Sequence, residues 1–323
     1  PEVVLTISTS GSGTPDPNNV YEVAVTNLDG SGFRQLTSDG KQKFLPHFSP
    51  DGSKLVYTKY TVGGYGGPNS KTVFAVYDLA TGQETVIADG GTAAIAQTSW
   101  SPDGRRIATI ELGVPHSANQ PPGSPLTIMN ADGSNPVTVG GPSGASDDLY
   151  WADIAWSSQD WILFVVGQDT NGCNKSRIDK IRPDGSSRIQ VSDGGPNCTP
   201  PDSLNPYGDA DPGWGADGST IFSSRGLPSP ASLPGLRHIF AFSSDAWAPG
   251  KPETDLQASE PSCAGAVPKG SPDGKRLLTT RNCASDPSKY GVYVADVSAA
   301  AASNWRLVAL ATFGSDWNPG ARR

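Results

Sequence analysis

A chain of 323 residues with 38 Gly, 29 Pro and 36% hydrophobic residues has room for one large all-β domain or two smaller ones. It does not read as a helical protein with thick amphipathic faces. The net charge of −8, with both signs interspersed and no basic block, excludes a nucleic-acid partner, which needs a positive stripe against phosphate. No apolar run approaches the ~20 residues of a membrane span.

In chain order, Val3-Val4-Leu5-Thr6-Ile7 reads as a second strand that lacks its first, and Asn27-Leu28-Asp29-Gly30 as a hairpin turn. The turn Ser49-Pro50-Asp51-Gly52 precedes a β-rich run at Lys54–Thr58, and Ser101-Pro102-Asp103-Gly104 precedes another at Arg106–Ile110. A second hairpin, Asn130-Ala131-Asp132-Gly133-Ser134, follows. Ser157-Ser158-Gln159-Asp160 is a degenerate copy of the first turn, leading into Trp161–Val166, and Arg182-Pro183-Asp184-Gly185 is another second hairpin. Gly215-Ala216-Asp217-Gly218 and Ser271-Pro272-Asp273-Gly274 complete the series, with runs at Thr220–Ser223 and Lys275–Thr280. Successive copies start 52, 56, 58 and 56 residues apart. Asp-Gly turns sharply because Gly accepts positive φ, and Pro presets its own φ. Each copy therefore joins a first strand to a second, and each later hairpin joins a third to a fourth. Four strands per unit of about 50 residues is propeller geometry, in which radial repetition protects the sheet edges.

Five first hairpins are complete and one unit is split. The chain ends Asp316-Trp317-Asn318-Pro319-Gly320-Ala321, matching the approach to the other turns as in Asp211-Pro212-Gly213-Trp214. The two ends are thus expected to share one blade, closing a ring of six, with seven as the alternative. The expectation is a single all-β domain over 1–323, a six-bladed β-propeller with four-stranded blades. Trp100, Trp156 and Trp214 recur just before the hairpins and are assigned to the core between blades.

Pro46-His47-Phe48-Ser49-Pro50-Asp51-Gly52, with the second hairpin at Asn130–Ser134, resembles the WD40-like (PD40) repeat of TolB-like propellers, over essentially the whole chain. The resemblance implies fold rather than activity, because such blades serve as binding platforms, peptidase lids and polysaccharide-lyase scaffolds. Periplasmic TolB carries an extra N-terminal α/β domain for which this chain has no room, so its partner contacts are not carried over. No signal peptide is legible, and the chain begins at Pro1 without Met, as a processed or trimmed protein would.

First-to-second turns are short, whereas the second-to-third connections are long in every unit: 8–19, 59–71, 111–125, 167–175, 224–237 and 281–289, with a long link at 192–211. Long loops on one face of a rigid scaffold are the usual place for binding. The four cysteines map to that face and contain no C-x-x-C pair, which favours disulfides over zinc. The expected bridges are Cys173–Cys198 and Cys263–Cys283, each closing a loop worth about 3 kcal/mol. They imply an oxidising location: secreted, periplasmic or on the cell envelope.

Candidate residues on the binding face are Tyr65, His116, Tyr150, Trp151, Arg225 and Arg237. Related propeller lyases make His, Tyr and Arg converge at the channel mouth. The resemblance therefore defines a catalytic search set of His47, His116, His238, Tyr60, Tyr65, Tyr150, Arg225, Arg237 and Arg281. A lyase needs a cation to neutralise a uronate and a base for its α-proton. The bland reading is that the histidines, from three different units, are ordinary packed or surface residues. Asp148, Asp209, Asp211 and Asp316 precede first strands and could ligate Ca²⁺ or another divalent metal. No D-x-D-x-D-G loop is present, so capping and turn roles compete. No G-x-S-x-G elbow, P-loop or dinucleotide fingerprint occurs. The resulting expectation is an exported, monomeric propeller, with no required cofactor, that binds a protein or glycan without catalysis of its own. The alternative is a polysaccharide lyase.

Overall fold

A computed structural model describes residues 2–9, 19–64, 69–91, 95–112, 125–143, 145, 148, 150–169, 174–195, 207–227, 236–283, 290–298, 301–310 and 314–319. These residues form strands and turns and contain no helix long and apolar enough to cross a membrane. The strands are β1 (Glu2–Ser8), β2 (Tyr21–Asn27), β3 (Arg34–Gln35), β4 (Lys43–Phe48), β5 (Lys54–Val62), β6 (Lys71–Asp78), β7 (Glu84–Asp89) and β8 (Ile95–Trp100). Next come β9 (Arg106–Leu112), β10 (Leu126–Asn130), β11 (Val137–Gly140), β12 (Tyr150–Trp156), β13 (Ile162–Asp169), β14 (Asn174–Ile181), β15 (Ile189–Gln190) and β16 (Tyr207–Trp214). The last are β17 (Thr220–Gly226), β18 (Arg237–Ser243), β19 (Glu253–Asp255), β20 (Cys263–Gly270), β21 (Arg276–Cys283), β22 (Gly291–Val297), β23 (Ala302–Ala309) and β24 (Ser315–Trp317).

Four sheets have four strands each: β24-β1-β2-β3, β4-β5-β6-β7, β8-β9-β10-β11 and β20-β21-β22-β23. The remaining sheet has eight, β12-β13-β14-β16-β17-β18-β19, with β15 on β14. Its two halves are antiparallel runs joined by a short parallel contact, Lys175↔Tyr207 and Ser176↔Gly208. The ends of the described chain meet as the sequence implied: β24 pairs with β1 through Val3↔Trp317, Val4↔Asp316 and Leu5↔Ser315.

The turns follow from local chemistry. Ser49 Oγ donates to Asp51 Oδ1 (2.6 Å) and accepts from the Lys54 N–H (2.9 Å). Ser101 and Ser271 repeat the pattern with Asp103 and Asp273. Gly52, Gly104, Gly218 and Gly274 all have φ between 68° and 73°, a conformation costly for residues with a Cβ. In the degenerate copy Asp160 takes that role with φ 62°, and Ser157 Oγ still accepts from Trp161 N–H.

Apolar clusters form between sheets, and they run round a cycle. Val56 and Val76 pack with Ile107 and Met129; Ile110 and Ile128 with Ile154 and Phe164; Leu163 and Ile178 with Ile221 and Phe242. Leu256 and Ile239 continue to Leu277 and Ala295, and Leu278, Val292 and Val294 pack on Val3, Leu5 and Ala24 of the first sheet. Val4 and Val25 then meet Leu55 and Tyr57. Each sheet thus covers the next and the last covers the first, which is the arrangement of an all-β propeller.

At three junctions the tryptophan ending an innermost strand locks neighbouring sheets. Trp100 Nε1 donates to the His47 carbonyl (3.2 Å), Trp214 Nε1 to Ala155 (2.9 Å) and Trp317 Nε1 to Lys269 (2.8 Å), each on the preceding innermost strand. Trp156 Nε1 donates instead to Asp160 Oδ1 (2.8 Å), and Phe48 fills the equivalent place by packing alone. Trp317→Phe keeps an aromatic ring, though a smaller one, and deletes the donor, so it is expected to cost about 1–2 kcal/mol. Trp317→Ala also opens a cavity and is expected to cost about 3–5 kcal/mol. Urea unfolding followed by circular dichroism measures both; equal losses would show that the ring contributes nothing to closure.

Candidate functional site

Antiparallel pairing sends the second-to-third connections and the links into each innermost strand to one rim. Ser8↔Tyr21, Gly226↔Arg237, Arg281↔Gly291 and Asp169↔Asn174 mark where connections leave the sheets there. The opposite rim is closed by the short first turns. Cys263, the first residue of β20, faces Cys283, the last of β21, and the two form a disulfide on the long-loop rim. Cys173 and Cys198 lie outside the described residues.

Between the rims the axis is ringed by β4, β8, β12, β16, β20 and β24, each in contact with the next. Four residues before four of the first turns the backbone enters the left-handed region: Leu45 (φ 54°), Asp153 (44°), Asp211 (51°) and Val267 (53°), each at a bulge, with Gly314 (69°) the counterpart just before β24. In β8 that place belongs to Gln97, where the pairing is regular. Gln97 Nε2 donates to Asp153 Oδ1 and Gln97 Oε1 accepts from the Ile154 N–H (3.1 Å). Asp153 Oδ2 in turn accepts from the Asp211 N–H (3.0 Å), and Asp211 Oδ2 accepts from Ser224 Oγ (2.7 Å). Burial raises the Asp153 carboxyl to about 7, and the charge of Asp211 pushes the same way. The Asp211 N–H, Arg237 and Lys269 pull against that shift.

Two residues nearer the turns, His47, Ser99, Ala155, Gly213, Lys269 and Asp316 form the wall of one cavity of about 310 Å³. His47 Nδ1 lies 3.4 Å from Asp316 Oδ2. Burial lowers the pKa of His47, Lys269 lowers it further, and Asp316 opposes both. His47, Lys269 and Asp316 are thus the titratable groups brought together at the short-turn mouth, while Asp153 and Asp211 lie deeper.

The other candidates are dispersed and held by neighbours. Arg225 is buried, with Nε 2.8 Å from Asp209 Oδ1, a second ion pair to Glu253 and its guanidinium 4.6 Å from the Phe240 ring centroid. Arg281 is buried against Glu260 (2.5 Å) and lies 4.5 Å over Trp305. His238 Nδ1 is 2.8 Å from Asp255 Oδ2. Arg237 donates to Ser224 Oγ (3.2 Å), Ser224 O (2.9 Å) and Gly208 O (3.1 Å). Tyr60 is fully buried in a cluster with Tyr21, Phe44, Leu45 and Val267. Tyr150 and Trp151 open β12, opposite Gly167 and Val166; Tyr65 and His116 lie outside the described residues. Of the cation candidates, Asp148 meets Arg188 (3.1 Å), Asp209 meets Arg225, Asp211 meets Ser224, and Asp316 accepts from the Phe48 N–H (3.2 Å). Among the described residues no three His, Cys, Asp or Glu side chains come together as a metal site.

Sequence reasoning missed Gln97 and Lys269 because each was read alone. Aligning the chain on its turns and reading the columns four and two residues upstream would have found both. It also missed fully buried Lys43, whose Nζ meets Glu22 Oε2 (2.7 Å), Asp39 and the Lys41 carbonyl (2.9 Å).

No family model and no curated protein sequence matches the chain. Among solved structures it is similar to TolB from Acinetobacter baumannii (14% identity, TM-score 0.60), covering 98% of this chain and 66% of that one. It is also similar to a chain of the nidogen/laminin complex (11%, TM-score 0.61, 98% of both chains) and to an oligogalacturonate lyase in complex with manganese (15%, TM-score 0.53, 88% and 75%). The chain therefore spans just under two thirds of the length of the A. baumannii TolB. The cyclic sheets, the repeated turns and these likenesses define the fold as a β-propeller of the TolB-like kind.

The acid pair has a measurable consequence. An acid whose folded pKa stands above its unfolded value takes up a proton on folding, so stability falls as pH rises from about 4 to about 7. Asp211→Asn removes the neighbouring charge, keeps the acceptor for Ser224 and tolerates positive φ. It is expected to flatten that slope and raise the melting temperature above pH ~7, with little change near the acid end. Thermal melts across the range test this; a variant with the parental slope would show that Asp211 does not bear on Asp153.

Proposed function

We propose that the protein is an exported, monomeric binding propeller of six four-stranded blades, forming one domain, which recognises a protein or glycan ligand through its long-loop rim. In this reading the eight-stranded sheet counts as two blades, β12–β15 and β16–β19, touching through the short parallel contact. The observation that carries the function is the asymmetry of the rims. Connections between β1 and β2, β5 and β6, β9 and β10, β17 and β18, and β21 and β22 all leave at the rim where the innermost strands begin and are mostly longer than those at the other rim, where the longest, between β18 and β19, covers 244–252. Contrary to the sequence reading, the β13–β14 connection is short, covering only 170–173. Rigid scaffolds present ligands with the rim that carries variable connections. The Cys263–Cys283 bridge on that rim supports an oxidising location, secreted, periplasmic or at the envelope. The similar TolB and nidogen/laminin structures fit a protein-binding role.

A second reading is a polysaccharide lyase. The likeness to oligogalacturonate lyase favours it, as does the cavity that brings together His47, a base held neutral, and Lys269, a cation that could face a uronate. Ca²⁺ or another divalent metal belongs to this reading alone.

A panel of acidic and neutral polysaccharides, with and without EDTA, separates the two. The binding reading expects retained glycan or captured protein partner with no unsaturated product in the ultraviolet. Metal-sensitive product formation that His47→Ala or Lys269→Ala reduces at least about 100-fold would overturn it in favour of the lyase.

A further inference from the structure

Asp153 and Asp211 both sit at positive φ in bulges of innermost strands, and a hydrogen bond ties one bulge to the other: Asp153 Oδ2 accepts from the Asp211 N–H (3.0 Å). From there polar contacts run outward. Ser224 Oγ donates to Asp211 Oδ2 (2.7 Å) and accepts from Arg237 Nε (3.2 Å). The Arg237 guanidinium also donates to the carbonyls of Gly208 (3.1 Å) and Ser224 (2.9 Å). Gly208 stands near the start of β16, just after the link from β15, and Arg237 opens β18 opposite Gly226, where β17 ends. Arg237 thus fastens the bases of two connections of the long-loop rim, and the same chain of contacts ends on an axial carboxyl.

Both Asp153 oxygens accept from N–H donors, Gln97 Nε2 at Oδ1 and the Asp211 N–H at Oδ2, a set that suits the ionised carboxylate. A proton on either oxygen brings an O–H up against one of these donors. The Gln97 amide is fixed, because its Oε1 holds the Ile154 N–H (3.1 Å), so the contact that yields is the one to Asp211. The charged groups facing Asp153 are Asp211 from β16, Arg237 from β18 and Lys269 from β20. Arg106 of β9 is instead turned to Trp156 and Asp160. Burial, and next the Asp211 charge, raise the Asp153 carboxyl to about 7, which populates both of its forms near neutral pH. We propose that Asp153, Asp211, Ser224 and Arg237 form a proton-operated clamp on the long-loop rim. With Asp153 ionised, Arg237 is held across the bases of the connections that enter β16 and join β17 to β18; proton uptake at Asp153 slackens that hold. Its use in binding rests on the function proposed above, whereas its existence is tested without a ligand.

The test follows the side-chain carboxyl signal of Asp153 and the hydrogen-exchange protection factors of backbone amides in the isotope-labelled protein, from pH ~5 to ~9, about two units either side of the expected midpoint. Protection factors remove the intrinsic pH dependence of exchange. Amides of Ser224–Leu227 and Arg237–Ile239 are expected to lose protection on the order of fivefold or more as pH falls through the Asp153 midpoint. Asp153→Asn is neutral at every pH and suits positive φ, so it should show the slackened level throughout. Ser224→Ala cuts the chain between Asp211 and Arg237: Asp153 should still titrate, and the rim amides should no longer follow it. Each variant's spectrum reports its folding; should Asp153→Asn not fold, the parental profile and Ser224→Ala decide the matter. Three results would overturn the clamp. One is an Asp153 carboxyl that keeps one form across the range, and another is rim amides that ignore its midpoint. The third is a parental pH response that persists in either variant, which would belong to the neighbouring His238–Asp255 pair.

Discussion

Each four-stranded sheet in this molecule has two apolar faces and covers neither. The fold therefore depends on how one sheet is fastened to the next, and the tryptophan at the end of an innermost strand does this in two ways. Its ring fills the gap between sheets, and at three interfaces its Nε1 donates to a carbonyl of the preceding innermost strand. A ring that only packed could slide along its groove; one that also donates at a fixed point sets the height of one sheet against another. Close to the axis this height decides which residues meet. It is what places Gln97, Asp153 and Asp211 in a chain of hydrogen bonds across three strands, and His47, Lys269 and Asp316 around one cavity.

The repeat was legible because its chemistry is local. Ser, Asp and Gly within four positions specify a turn by themselves, and the hydrogen bonds of Ser49–Asp51 recur at Ser101–Asp103 and Ser271–Asp273. The Cys263–Cys283 bridge was legible for the same reason: once the turn at Ser271 fixes the pairing of β20 with β21, the two cysteines stand opposite each other. The bulges were not legible. Leu45 and Val267 are poor candidates for positive φ on local grounds, and they adopt it at bulges in the innermost strands. Lys43 was equally hidden, since its carboxylate partner Glu22 is supplied by a different sheet.

Charge near the long-loop end is organised rather than scattered, with buried Lys43 and Glu22 joined to the exposed Asp39. Lys43 joins Glu22 and Asp39, Asp39 joins Lys59, and Lys59 joins Glu84, which accepts from the Tyr57 hydroxyl (2.6 Å). Arg225 and Arg281 occupy the position of Lys59 in their own sheets and also pair with carboxylates. Such pairs add little net stability, because desolvation offsets attraction, but breaking one strands a charge. Their effect is to fix which sheet neighbours which. The basic residues that the sequence offers as ligand contacts are in large part the fastenings of the rim itself.

The pairing of β24 with β1 sets an order of events during synthesis. Val3, Val4 and Leu5 leave the ribosome early, yet their partners Trp317, Asp316 and Ser315 emerge among the last residues described. Domains fold as units while the chain is still growing, but this one holds an unsatisfied strand edge and an uncovered apolar face, Val3 and Leu5, until Ser315–Trp317 have been made. The nascent chain is an open arc throughout that interval, able to pair its free edge with another arc instead of its own end.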